Sequence, residues 1–275
     1  MEIRKMVIVA SIGAVVLLAG CGAIPLGSDS GPSMPPGLSD DGVRNASELT
    51  SAHRETLTNR PHTVDVNETI RYENGSLWGS KRATIRVDPA SRIATAVVEP
   101  KPTNGPFSPP FHLSARTVEF YRNGTAIAAK ASNDTTTKQV PPSVPGTGSN
   151  LRDPKMVPPL LTGLELQYKG TVERKGRTLY RIEATEVTDE DLVASTVLSG
   201  RRYDDIRNVS FRALVTERGL VAQYRVTYAV VKTEGYKFPD TEDGVVIGGK
   251  RTVTFRAIGT TTVERPEWVG NRSAA

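Results

Sequence analysis

From Val64 onward, apolar residues return at every second position: Val64, Val66, Ile70 and Tyr72 alternate with Thr63, Asp65, Asn67, Thr69 and Arg71. A period of two puts successive side chains on opposite faces of a β-strand, so one face is made for a core and the other for water. The pattern restarts after each turn signal. Leu77 to Val87 carries Ala83, Ile85 and Val87 in alternation, and Asp88-Pro89-Ala90-Ser91 turns the chain into Arg92 to Val98. Ser114 to Arg122 and Thr125 to Ala131 flank Asn123-Gly124, Leu164 to Glu173 and Arg177 to Val187 flank Lys175-Gly176, and Val209 to Thr216 and Leu220 to Val231 flank Arg218-Gly219. Arg251 to Glu264 supplies the last strand. Asn74-Gly75 predicts a type I′ turn, because both residues tolerate positive φ. The sum is roughly nine or ten strands joined by short turns, the signature of an antiparallel meander, without the strand–helix rhythm of a parallel sheet.

Two helices interrupt the strands. Asn45 can cap a helix, with Glu48 three residues later in capping-box position, and Leu49, Ala52, His53, Thr56 and Leu57 recur at helical spacing before Pro61 stops the element. Thr188-Asp189-Glu190-Asp191 opens a second, short helix, with acids at its positive dipole end and Leu192, Val193, Thr196 and Val197 following. Pro100 to Pro110 holds five prolines in eleven residues and reads as a loop rather than a central strand. Asn133 to Pro159 reads as a second irregular insert. The fold class expected is therefore α+β: one large curved antiparallel sheet with an N-terminal helix and one short helix.

The beginning of the chain has another character. Arg4 and Lys5 precede an uncharged apolar run from Met6 to Leu18, and Leu18-Ala19-Gly20-Cys21 then sets a small-residue pair before the single cysteine. These are the charged, apolar and processing regions of an export signal. One cysteine forms no internal disulfide; the run Leu18 to Cys21 resembles the lipobox of exported lipoproteins, and that resemblance implies lipidation of Cys21. The run from Met6 to about Leu26 also approaches the ~20 residues of an uncleaved membrane span. The expected division is a lipoprotein signal over residues 1–21, a flexible Gly/Ser/Pro tether over 22–42, one β-rich domain over 43–268 and a tail over 269–275.

Chemistry is hard to find in the body. His53, His62 and His112 are single and widely spaced, so no zinc-ligand pattern is present and no metal or cofactor is expected. No Gly-x-Ser-x-Gly elbow occurs. Gly244 to Lys250 imitates a phosphate loop, but Arg251 stands where a magnesium-binding hydroxyl belongs, and Thr252 to Ile258 alternates like a strand instead of opening a helix. The formal charge of +5 is spread along the chain without a basic stripe or a stacking motif, which argues against nucleic acid as a partner. A non-catalytic, monomeric protein is expected.

Two surface signals remain. Seven of the ten asparagines begin Asn-x-Ser/Thr sequons. With Asn45 reserved as a helix cap, Asn67, Asn74, Asn123, Asn133, Asn208 and Asn271 are the glycosylation candidates. The strand faces also carry more apolar surface than one long and one short helix can cover, so an open trough is expected. Its candidate lining is Leu49, Ala52 and Leu57 from the helix and Val64, Val66 and Ile70 from the first long strand.

The run Pro35-Pro36-Gly37-Leu38-Ser39-Asp40-Asp41-Gly42-Val43, followed by Glu48-Leu49-Thr50-Ser51-Ala52-His53 and Leu57, resembles the opening of an uncharacterised lipoprotein family of halophilic archaea. The order of elements, a helix and then a long meander, is similar to the half-barrel of LolA/LppX-like lipoprotein carriers. That resemblance implies a curved sheet holding acyl chains between its concave face and covering helices. It implies a protein anchored through lipid on Cys21 at the extracytoplasmic face of the cell membrane, binding a lipid or other apolar ligand. The alternative is a surface structural or protein-interaction lipoprotein without a cavity, and an extracytoplasmic hydrolase is a more distant one.

Overall fold

A computed structural model describes residues 33–102, 117–132, 138–139, 157–198, 205–231 and 246–269. Cys21, His112 and the sequons at Asn133 and Asn271 lie outside them. Two short strands, β1 (Leu38–Ser39) and β2 (Gly42–Val43), lead into helix α1 (Ala46–Thr58). A first meander follows: β3 (His62–Tyr72), β4 (Leu77–Asp88), β5 (Ile93–Pro102), β6 (Val118–Asn123), β7 (Ala126–Ala131) and β8 (Lys138–Gln139). Helix α2 (Val157–Thr162) opens the second: β9 (Leu164–Arg174), β10 (Arg177–Val187), helix α3 (Glu190–Leu198), β11 (Asp205–Thr216), β12 (Val221–Val231) and β13 (Val246–Arg256).

The two meanders join where the last strand lies beside the first. Among the described residues the order β8-β7-β6-β5-β4-β3-β13-β12-β11-β10-β9 makes an 11-stranded sheet, antiparallel throughout and open, with β8 and β9 as edges. The expected α+β class, a large antiparallel sheet with few helices, is the one observed. Helices α1 and α3 lie on one face of it: the His53 ring meets Phe255 of β13 edge-on at 5.1 Å, and the Val197 carbonyl of α3 accepts from Arg251 of β13. Helix α2 touches both. We call this the inner face. It holds the larger core cluster, in which Leu49, Leu161 and Val193 from the helices meet Val64, Phe211, Tyr224 and Val253 from the strands. Across the outer face of β3 and β6 runs the C-terminal segment, tied by Gly259 N–H to the Pro61 carbonyl (2.6 Å), by the Thr63 and Thr261 hydroxyls (2.9 Å) and by the Trp268 indole N–H to Glu119 (2.6 Å).

Several local expectations are corrected. The stretch from Ser33 to Gly42, expected as tether, is packed: Leu38 is buried in the core, Met34 rests against it, and Tyr180 donates to the Ser33 carbonyl. The expected signal and the rest of the expected tether lie outside the described residues. Val269, expected in the tail, is buried. Strand β13 ends at Arg256 rather than Glu264, because Ala257 takes φ 52° and turns the chain onto the outer face. The expected loop at Pro100 begins later: Pro100 and Pro102 pair with Lys81 and Gly79 of β4. Strand β6 pairs only with Ile93–Val98, so among the described residues β5 is an edge beyond Val98, where a missing N–H costs no ladder bond. Within the expected irregular insert, α2 places Pro158 and Pro159 in its first turn, where prolines are tolerated, and buries Val157, Leu160 and Leu161.

The turns also differ from expectation. At Asn74-Gly75 only Gly75 has positive φ (80°); its N–H reaches the Tyr72 carbonyl at 2.9 Å, and Tyr72 N–H reaches Ser76 at 3.0 Å. This is the three-residue loop with a left-handed glycine, not type I′. Gly219 closes the β11–β12 hairpin in the same way. Both residues are left-handed only at Lys175-Gly176 (φ 52° and 69°), where Arg174 pairs with Arg177 across a two-residue loop. The Asn45 cap is as expected: its side chain accepts from Glu48 N–H at 3.0 Å. For α3 the cap is Asp189, which accepts from Leu192 N–H at 2.9 Å.

Candidate functional site

Register carries the period-two pattern across the sheet, so rows of inner-face side chains can be followed from strand to strand. One row runs Phe255, Val64, Ile85, Ala96, Phe120 and Ala129 over β13 to β7. Its neighbour runs Val253, Val66, Ala83, Val98, Val118 and Ala131. Over β9 to β13 and β3 the inner face lies beneath helices. Over β5 to β7 it forms a second, smaller cluster of Ala96, Val118, Phe120 and Ile127, to which no helical residue among the described ones belongs. Ile85, Val98, Ala129 and Ala131 pack against that cluster while remaining partly exposed.

The third row is polar. Arg251, Glu68 and Lys81 stand side by side on β13, β3 and β4. The Arg251 guanidinium lies 2.6 Å from Glu68 Oε1, and Lys81 Nζ lies 3.2 Å from Glu68 Oε2. Glu68 and Arg251 are both buried. Burial by itself would raise the Glu68 pKa, but Arg251 and then Lys81 outweigh it and hold the carboxyl down at about 2. Arg251 is pushed up although burial opposes its charge, chiefly by Glu68. It also donates to the carbonyls of Thr196 (3.4 Å) and Val197 (3.0 Å), at the C-terminal end of α3, where the helix dipole favours a cation. Tyr228 donates to the same Val197 carbonyl at 3.5 Å. The Tyr224 hydroxyl, fully buried, is pushed up by desolvation.

The six expected trough residues do not line one surface. Leu49, Leu57, Val64 and Ile70 are buried in the larger cluster and fill it. Val66 is partly buried at its border. Ala52 faces the β11–β12 turn, its Cβ 2.5 Å from where a side chain on Gly219 would begin. The apolar rows over β4 to β7 were not among the candidates, although the alternation that reveals them is in the sequence. Glu68 and Arg251 had a legible signal too, each being a charge inside an apolar every-second-residue series. His53 is a buried, hydrogen-bonded histidine: its Nδ1 accepts from Val221 N–H at 3.2 Å, and burial, then His62 and Arg54, lowers its pKa to about 4.

Asn67, Asn74, Asn123 and Asn208 are exposed, Asn208 at a bulge in β11 with φ 51°. Among the described residues no group of three or more His, Cys, Asp or Glu side chains is placed to hold a metal ion. No helix among them is long and apolar enough to cross a membrane.

Residues 5–272 match a family described as "Family of unknown function (DUF7537)". No curated protein matches the sequence. Among solved structures, the lipoprotein LppX of Mycobacterium tuberculosis is similar at 15% identity and TM-score 0.42, over 79% of this chain and 97% of that one. LprF of Mycobacterium bovis is similar at 14% identity and TM-score 0.43, over 84% and 100%. A LolA superfamily protein of Nitrosomonas europaea is similar at 8% identity and TM-score 0.31, over 80% and 94%. These scores mark a distant likeness in layout.

Proposed function

We propose that this chain, which belongs to the DUF7537 family of unknown function, is a non-catalytic lipoprotein anchored through Cys21 at the extracytoplasmic face of the membrane, taking the acyl part of a lipid on the inner face of β4 to β7. One observation carries the reading. The apolar rows continue past the helix-covered half of the sheet onto strands whose cluster includes no helical residue among the described ones, and Ile85, Val98, Ala129 and Ala131 keep apolar area partly exposed there. Contiguous apolar surface of that kind marks an interaction site on a soluble body. The ligand surface lies beside the expected trough residues rather than among them. Leu49, Leu57, Val64 and Ile70 hold the helices on, which leaves the outer strands of the first meander to bind.

The test follows from the faces. Val98→Asp puts a charge into the second apolar row, whereas Arg82→Asp puts one on the exposed outer face of β4. Binding of a fluorescent fatty-chain probe by the full chain should fall for Val98→Asp and persist for Arg82→Asp, with thermal unfolding confirming that both fold. Equal binding by the two variants favours the alternative of a protein-interaction surface. Asp65 is unsuitable as a control, because it accepts from Thr84 and pairs with Arg256 across the outer face. For the anchor, Cys21→Ser should move the protein from the detergent phase to the aqueous phase or leave an unprocessed precursor. Unchanged mass and unchanged partition would sink the lipid anchor.

A further inference from the structure

We infer that the lipid taken on this face carries an anionic headgroup held at Lys81, an inference that rests on the reading of β4 to β7 as the acyl-binding surface. The polar row supplies the reason. Glu68 is one carboxylate shared by two cations, with Oε1 given to Arg251 and Oε2 to Lys81. Both oxygens are engaged, so the three groups together keep one formal positive charge. Arg251 has no freedom to offer it: the guanidinium is buried and is also bonded to the Thr196 and Val197 carbonyls. Lys81 is different. Its side chain is 37% exposed, and its one ion pair among the described residues occupies one of three ammonium donors. The surplus charge therefore rests on the member of the row that meets solvent.

Next to Lys81 on the same face of β4 is Ala83, with Val98 beside it on β5. A cation beside an apolar row matches an amphiphile whose chain lies on Val98, beside the buried Ala83, and whose negative head reaches Lys81. On the inner faces of β3 to β7, β12 and β13, Glu68 is the single acid, while Lys81, Arg122 and Arg251 are bases. A neutral lipid would cover Lys81 without offsetting its charge, and a cationic one would be repelled.

The experiment compares a fluorescent fatty acid, ionised at its carboxylate, with the alcohol of the same chain, on the full-length protein. Wild type should bind the acid more tightly than the alcohol. Lys81→Met should weaken acid binding roughly tenfold, the factor carried by one charge-assisted hydrogen bond, and leave the alcohol unchanged. Lys81→Arg should restore the preference, and Arg82→Met on the opposite face should leave it intact. Excess inorganic phosphate should not displace the acid. Equal affinity of wild type for the two probes, an unchanged preference in Lys81→Met, or displacement by phosphate overturns the assignment of Lys81 to an anionic lipid head. Binding of neither probe by wild type overturns the acyl-surface reading itself.

Discussion

Glu68 occupies the place between Val66 and Ile70 on the inner face of β3, where the alternation asks for an apolar side chain. It is tolerated because Arg251 and Lys81 flank it in register and the end of α3 supplies carbonyls to Arg251. His53 raises a related matter of protonation. Below pH 6.5 the unfolded chain takes up a proton at this residue that the folded chain refuses until about pH 4. The unfolded state therefore binds more protons in that window, and stability falls as pH falls across it, by about 3 kcal/mol from this group. Glu68 acts in the same direction at lower pH. Its contribution is present above pH 4.5 and lost as pH drops toward about 2. Urea unfolding at a series of pH values should show this slope. His53→Gln, which keeps an acceptor for Val221 N–H, should flatten the limb between pH 6.5 and 4; an unchanged limb would assign the protons elsewhere.

Strand β13 contains Gly248-Gly249, an unhelpful pair for β-structure unless something needs the space. The Tyr228 ring lies over Gly249, directly where a Cβ would project. From there its hydroxyl reaches Val197 on α3, the same carbonyl that Arg251 holds. The glycine, the tyrosine and the arginine thus fix one helix end to the middle of the sheet. Gly249→Ala should displace Tyr228 and loosen that end. The expected readout is faster hydrogen exchange at α3 amides, with β4 to β7 unaffected. Exchange unchanged at α3 would mean that the helix end does not depend on Tyr228. The same segment imitates a phosphate loop in sequence, and its residues from Val246 onward form a ladder with β12 and β3.

The body of the protein carries two apolar clusters of unequal size on one sheet face. Phe211 is almost fully buried in the larger one, stacked on Tyr224 at 6.0 Å, while Phe120 belongs to the smaller. Phe211→Ala should lower global stability by about 3–5 kcal/mol, the usual cost of emptying a packed aromatic site. Phe120→Ala should cost less and speed exchange mainly in β5 to β7, because fewer buried neighbours depend on it. Equal losses of global stability in the two variants would show one cooperative unit rather than a stable half and a softer one. A softer half is the one expected to admit a ligand.

Period-two alternation and turn residues are local properties, so the long strands, the α1 cap at Asn45 and the α+β class could be read from the chain alone. Buried position along α1 was legible for the same reason, through the helical spacing of Leu49, His53 and Leu57. Helix α2 was not, since two prolines in a first turn carry the same local signal as a loop. Nor was the turn type at Asn74-Gly75, which depends on where Tyr72 and Ser76 meet. Alternation tells which residues share a face but not which strands are neighbours. The tertiary structure alone brought Arg251 to Glu68 across 183 residues of sequence. By laying β13 beside β3, it also decided that the helices cover the second meander, so that the predicted lining became core and the outer strands of the first meander became the candidate surface.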